Sequence, residues 1–318
     1  MHKVEMYCTE ASAYFARKLA DQLGIHLDGI ESRQFGGGER YYRLPLTERG
    51  ELMGKDVILV GSTHTDESIE EMYRVGCALA AYGTRRRIFV IPFFGYSTME
   101  RAQKPGEVVT AKTIARQLST IPNTGMGNVF LFMDLHVSGI VHYFEGDCLR
   151  FELYSEPAIL AELGKLIPNL GRDKNIIFGS ADLGRPMWVR SFSKKFGTRM
   201  VLIDKGREGE TTRVNDVIGD VQDATVVIYD DMLRSGGTLV NAAYAYLAHG
   251  AKNVFAITSH ASLNNDGVVD LIASSHIEKV LVTNTHPMSQ NPKLRACKKF
   301  ITADVTPIFT NEIKKLID

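Results

Sequence analysis

The 318-residue chain balances 37 Lys plus Arg against 37 Asp plus Glu, with 44% hydrophobic and 23% charged residues. Zero formal net charge supplies no global field for nucleic acid or an anionic membrane, so cations must act locally. No apolar run approaches a membrane span, the first residues lack a signal-peptide core, and the scattered Cys8, Cys77, Cys148 and Cys297 show no zinc or redox spacing, which together point to a cytoplasmic protein with reduced thiols.

Length suits two domains, and strand-like segments alternate with helix-like ones from end to end, the pattern of an α/β architecture with mainly parallel sheets flanked by helices. Residues 6–8 read as a strand end and 11–23 as a helix. Residues 31–45 contain Phe35-Gly36-Gly37-Gly38-Glu39 before Tyr41 and Tyr42, a glycine-rich turn between two strands. Strand 57–60, helix 67–81 and strand 87–92 follow. The stretch 93–108, FFGYSTMERAQKPGEV, reads as a long surface loop, and loops of that length are often functional.

Helix 110–118 leads to strand 129–133, which ends in Asp134-Leu135-His136, an acid and an imidazole at the edge where open α/β sheets bind ligands. A lone histidine there is more often structural than metal-bound. The pattern loosens over 144–156, and the domain boundary is expected near 150. Strand 175–179 runs into a turn carrying Asp182. After a helix ending near 196 and strand 200–203, the polar segment 204–210, DKGREGE, reads as a mobile loop bearing Lys205 and Arg207, though taken alone it reads equally as a solvated surface loop.

Residues 226–249, VVIYDDMLRSGGTLVNAAYAYLAH, carry the strongest signal. An apolar β-branched run passes through Asp230 and Asp231 to Ser235-Gly236-Gly237-Thr238, and a helical pattern begins. The glycines let backbone N–H groups approach an anion, the helix adds its positive dipole end, and the hydroxyls add donors. The acids can accept hydrogen bonds from vicinal sugar hydroxyls. A sugar-phosphate cradle results. Strand 253–260, a helix-strand pair over 270–281, and a strand and short helix over 300–318 complete the chain.

A cradle, a loop with paired cations and an Asp/His strand end fit a magnesium-nucleotide reaction on a sugar phosphate, because phosphoryl transfer depends on positioning and on cations that neutralise charge. The absence of G-x-x-x-x-G-K-[ST] excludes a P-loop kinase. The chain resembles the ribose-phosphate pyrophosphokinases over nearly its whole length: Phe35-x-x-Gly38-Glu39, IPFFGY at 91–96, TAK at 110–112, MDLH at 133–136, DK at 204–205, DDMLRSGGT at 230–238 and VTNT at 282–285 occur in order.

The resemblance implies two phosphoribosyltransferase-like domains: an ATP-side domain at 1–150, a ribose 5-phosphate-side domain at 151–290, and a tail at 291–318 that packs back on the first. It implies transfer of the diphosphoryl group of MgATP to the C1 hydroxyl of ribose 5-phosphate, with Mg2+ as cofactor. By position, Asp230 and Asp231 would hold ribose hydroxyls, and Arg234, Ser235, Gly236, Gly237 and Thr238 the phosphate. Lys205 and Arg207, with His136, would serve catalysis. His136, Asp182 and Asp134 would face the metal. Phe35, Gly37, Glu39, Thr98, Met99, Glu100 and Arg101 would receive ATP from a neighbouring subunit, which makes a homo-oligomer the expectation.

Thr98 and Met99 stand where Arg and Gln are usual, Gly37 replaces an Asp or Asn, and Arg234 stands where Asp is common. Ser97-x-Met99-Glu100-Arg101, Gly106-Glu107-Val108 and Arg207-Glu208-Gly209-Glu210 are similar to the plant-type, class II branch, which implies phosphate-independent activity and looser nucleotide choice. An acceptor other than ribose 5-phosphate, or a catalytically silent regulatory subunit, remains the alternative.

Overall fold

The computed structural model describes residues 4–182, 186–208 and 211–317, the side chains of 186, 205–208 and 211–215 excepted. The chain divides into two units, Met1–Ser155 with Val305–Asp318, and Glu156–Asp304.

The first unit runs β1 (Val4–Cys8), α1 (Ala13–Leu23), β2 (Leu27–Asp28), β3 (Glu31–Gln34), β4 (Arg40–Arg43), β5 (Asp56–Val60), α2 (Asp66–Ala81), β6 (Arg86–Ile91), α3 (Thr110–Ser119), β7 (Asn128–Met133) and β8 (Leu149–Leu153). Its six-stranded sheet has the order β2-β1-β5-β6-β7-β8 and is parallel throughout, while β3 and β4 form a separate antiparallel hairpin. The central strands are continuous apolar runs because helices cover both faces of a parallel sheet, and every residue of β5 and β7 is buried. The charge this buries is matched: Asp56 accepts from Arg85 Nε at 2.8 Å. Thr65 caps α2 in a reciprocal box with Ser68, satisfying N–H groups the first turn would otherwise leave open.

The second unit runs α4 (Glu156–Leu166), β9 (Ile176–Ser180), α5 (Pro186–Phe196), β10 (Met200–Glu208), β11 (Thr211–Ile218), β12 (Thr225–Met232), α6 (Gly237–Ala248), β13 (Asn253–His260), α7 (Gly267–Ser274), β14 (Val280–Thr283), α8 (Pro292–Ala296) and β15 (Phe300–Ala303). Its sheet order is β11-β10-β9-β12-β13-β14-β15, parallel except where β11 returns antiparallel to β10. Alternation along β12 feeds two cores: Val226 and Ile228 pack in one cluster, Val227 and Tyr229 in the other.

Three expectations change. The segment 204–210, read as a mobile loop, continues β10 as far as Glu208, because the β-branched run TTRV at 211–214 supplies a partner strand in β11. Residues 149–153, where the pattern loosened, form the edge strand β8, so the first unit extends past 150 to Ser155. The tail does not begin at 291: β15 pairs parallel with β14, placing Phe300 opposite Val280, and only the segment from Val305 joins the first unit. There α9 (Thr306–Ile317) packs on α1 through an edge-on Phe15–Phe309 contact, and Gln22 donates to Thr306 Oγ1 at 2.8 Å.

Candidate active site

The β12–α6 crossing builds a cavity of 190 Å3 lined by Asp230, Met232, Leu233, Arg234, Ser235, Gly236, Thr238, Leu239 and Thr258. That is small beside the pockets of drug-sized ligands and suits a small polar molecule. Gly236 is decisive in its shape. Its φ of +77° lies in the left-handed region, and a Cβ there would stand 3.2 Å from Val268 Cγ1 and 3.3 Å from Leu271 Cδ2. As the N-cap of α6 it has no side chain to occupy the first-turn N–H groups, which stay available to an anion.

Both acids belong to β12, near its carboxyl end. Asp230 follows Val226 and Ile228 onto the cavity side; Asp231 follows Val227 and Tyr229, is buried, and is not among the cavity's lining residues. The two carboxyls nevertheless lie against each other, joined by a side-chain hydrogen bond, and Asp230 is the one that lines this cavity. Its Oδ1 accepts from the Asp231 N–H at 2.9 Å. Burial first, then the negative charges of Asp231 and Asp182, push its carboxyl well above the usual carboxylate range. A ligand offering hydroxyl donors or positive charge relieves that penalty. Gly237 starts α6 in open space, the nearest atom to a built Cβ being Ser235 Oγ at 3.9 Å. Arg234 is exposed, its Nη2 lying 3.4 Å from Met232 Sδ.

Asp182 lies half-buried just beyond the carboxyl end of β9, near enough to Asp230 to act on its titration. Lys205 and Arg207 lie on β10 opposite Val214 and Thr212 of β11, and their side chains fall outside the described residues.

In the first unit, Asp134 follows β7 with φ of +42° and is buried. Its carboxylate accepts from the Ser155 N–H at 3.0 Å and from the Ser155 hydroxyl. Asp134, expected at the metal, ties the β7 end to the segment after β8, because a buried carboxylate needs donors and Ser155 supplies two of them. His136 is half-buried beside it. Among the described residues no three His, Cys, Asp or Glu side chains gather as a metal site.

The residues expected to receive ATP occupy two places. Phe35, Gly37 and Glu39 form the tip of the β3–β4 hairpin, closed by Phe35 N–H to Glu39 O and Gly38 N–H to Phe35 O, each at 2.9 Å. Phe35 is 47% exposed and lies edge-on to Tyr41, with the Arg33 guanidinium 5.3 Å from its ring centre and 4.4 Å from that of Tyr41. Thr98, Met99, Glu100 and Arg101 lie in the 92–109 connection, which is not wholly a surface loop: Phe93, Phe94, Gly95 and Ser97 are buried, and exposure is continuous only from Arg101. The loop is anchored where Tyr143 donates to Glu100 O at 2.6 Å and the Ala111 N–H to Met99 O at 3.3 Å. Arg101 pairs with Glu100 at 3.4 Å.

Sequence reasoning missed Met232, Leu233, Leu239 and Thr258 as cavity walls. Thr258 lies on another strand, and only the β12–β13 register places it opposite Asp230.

Comparison with known proteins agrees with this architecture. The family model for the N-terminal domain of ribose phosphate pyrophosphokinase matches residues 4–121, and that for the phosphoribosyl synthetase-associated domain matches 207–318. A ribose-phosphate pyrophosphokinase of Campylobacter jejuni is 30% identical over 99% of this chain and 96% of its own length. One from Haemophilus influenzae is 32% identical over 92% and 90%. The crystal structure of phosphoribosylpyrophosphate synthetase from Mycobacterium smegmatis superposes with a TM-score of 0.84 at 20% identity, covering 99% of this chain and 98% of that one.

Proposed function

The chain belongs to the ribose-phosphate pyrophosphokinase family, and on that premise we propose that the β12–α6 cavity holds the ribose 5-phosphate of an ATP-dependent synthesis of 5-phosphoribosyl 1-pyrophosphate. The observation that carries the placement is the Gly236-capped N-terminus of α6 opening onto a cavity with Asp230 on its wall. Anion donors and a sugar-hydroxyl acceptor thus line one small space.

In the reaction, the C1 hydroxyl oxygen bonds to the β-phosphorus of ATP, the α–β bridge breaks, AMP leaves and the hydroxyl proton is released. Ser235, Gly236, Gly237 and Thr238, with Arg234 at the rim, fix the 5-phosphate, and Asp230 orients the sugar. Asp231, whose carboxyl lies against that of Asp230, acts with it through its charge, a side-chain hydrogen bond and its backbone N–H. Lys205 and Arg207 stabilise the negative charge that develops on the transferred group.

Mg2+ enters as MgATP, neutralising phosphate oxygens. Magnesium keeps waters and phosphates among its ligands and needs few from protein, so a single carboxylate such as Asp182 or an imidazole such as His136 suffices without a protein-only cage. Asp134 belongs to the same set, because a carboxylate that accepts two hydrogen bonds from Ser155 keeps lone pairs for the metal or its water.

The ATP donor site uses Phe35, Gly37, Glu39 and the 98–101 loop, the exposed Phe35 ring offering a surface for the adenine of a neighbouring copy; a homo-oligomer follows. Thr98, Met99 and Gly37 support a class II-like donor site with weak base selectivity, so that GTP or CTP sustains a measurable fraction of the ATP rate. Free cysteines and the absence, among the described residues, of a helix long and apolar enough to cross a membrane are compatible with a cytoplasmic setting.

The test is incubation with magnesium, ATP and ribose 5-phosphate, with and without inorganic phosphate. AMP and phosphoribosyl pyrophosphate are expected in equal amounts. AMP formed without ribose 5-phosphate, or none at all, would sink the proposal.

A further inference from the structure

The cavity wall contains one polar group that the reaction described above does not use. Thr258 of β13 lies in register with Asp230 of β12. Val226 and Ile228 on β12 and Val254 and Ala256 on β13 belong to one core cluster, so Asp230 and Thr258 continue the same face of the sheet on adjacent strands, roughly 4.8 Å apart. Thr258 is fully buried, lines the cavity, and its Oγ1 has no hydrogen-bond partner.

A buried hydroxyl without a partner costs folding free energy that a valine of the same shape would not. Among the described residues Thr9, Thr198 and Ser262 also carry such a hydroxyl, but only Thr258 lines this cavity. The β-branched side chain has few rotamers, which holds the hydroxyl in place before any ligand arrives. A sugar hydroxyl that donates to Asp230 keeps its lone pairs, and a threonine hydroxyl beside it can donate to them.

We infer that Thr258 is a further acceptor-binding residue, its hydroxyl completing the hydrogen bonds of the ribose hydroxyl held by Asp230. The inference rests on the reading of this cavity as the ribose 5-phosphate site.

The test compares wild type with Thr258→Val and Thr258→Ser, measuring KM for ribose 5-phosphate and for ATP, calorimetric binding of ribose 5-phosphate alone, and the unfolding midpoint without ligand. Thr258→Val should raise the ribose 5-phosphate KM and weaken its binding about tenfold, leave the ATP KM unchanged, and unfold at or above the wild-type midpoint. Thr258→Ser, which keeps the hydroxyl, should stay within about threefold of wild type. A valine variant with unaltered ribose 5-phosphate KM and binding overturns the role of the hydroxyl while leaving the cavity assignment standing. A lowered midpoint with both KM values shifted alike assigns Thr258 to packing and overturns it too. A wild type that binds no ribose 5-phosphate and makes no product overturns the cavity assignment and this inference together.

Discussion

Gly236 and Gly237 are adjacent, yet the structure gives them opposite sensitivities to a single methyl group. At Gly236 an alanine would sit at φ of +77°, a conformation that costs an L-residue about 1–2 kcal/mol. Its Cβ would also lie 3.2 Å from Val268 Cγ1 and 3.3 Å from Leu271 Cδ2, so α7 side chains must yield by a few tenths of an ångström, adding about 0.5–1 kcal/mol. Gly236→Ala should therefore lose about 2 kcal/mol in urea-monitored unfolding of the second unit. Gly237 is the first residue of α6, has no positive φ, and its nearest Cβ neighbour is Ser235 Oγ at 3.9 Å. Alanine there should be neutral or stabilising by about 0.5 kcal/mol, because it restricts the unfolded chain more than glycine does. If backbone approach to the 5-phosphate is what Gly237 provides, its alanine variant raises the ribose 5-phosphate KM without loss of stability. Equal destabilisation by the two substitutions, or none by Gly236→Ala, would refute this account of the loop.

Lys205→Ala should lower kcat by more than about a hundredfold, the scale of losing one preorganised charge at a transition state, with little change in unfolding midpoint; retained turnover would remove Lys205 from the chemistry. Asp230→Asn should raise the ribose 5-phosphate KM and at the same time stabilise the fold at neutral and alkaline pH. Because the folded carboxyl titrates above its unfolded value, wild type binds the extra proton when folded and loses stability as pH rises out of the ordinary carboxylate range. The advantage of the asparagine variant should shrink on acidification, and a pH-independent difference in midpoint would contradict the burial argument. Glu71 is 8% exposed, and burial pushes its carboxyl up to about 6. Glu71→Gln should thus stabilise the first unit by roughly 1 kcal/mol above pH 7, after allowance for screening, and make little difference near pH 4.5; a destabilised variant across that range would show that the Glu10 N–H contact outweighs the desolvation.

The order of strands and helices was legible because buried parallel strands demand unbroken apolar runs such as 226–229 and 254–257, while helices declare themselves by the spacing of their apolar residues. The anion-binding turn was legible for a similar reason: two glycines between a strand and a helix restrict what the backbone can do there. Local chemistry of this kind is written in neighbouring residues, and the motifs that identify the family are local in the same sense.

What depended on contacts between distant residues was not legible. The strand β11 exists because residues 211–218 find β10 as a partner, and polar residues over 204–210 concealed that pairing. The hydrogen bonds that tie Asp134 to Ser155, 21 residues later, had no signal in neighbouring residues. The two acids of β12 are adjacent in sequence, and only the tertiary structure shows that Asp230 lines the cavity while Asp231 lies buried against it. The sequence alone therefore determined most of the elements, though not β8 or β11, together with the family and the phosphate-binding turn. Tertiary structure decided which side chains share the cavity, because a one-residue step along a strand reverses a side chain's face and a parallel register can join residues such as Asp230 and Thr258 that no local pattern links.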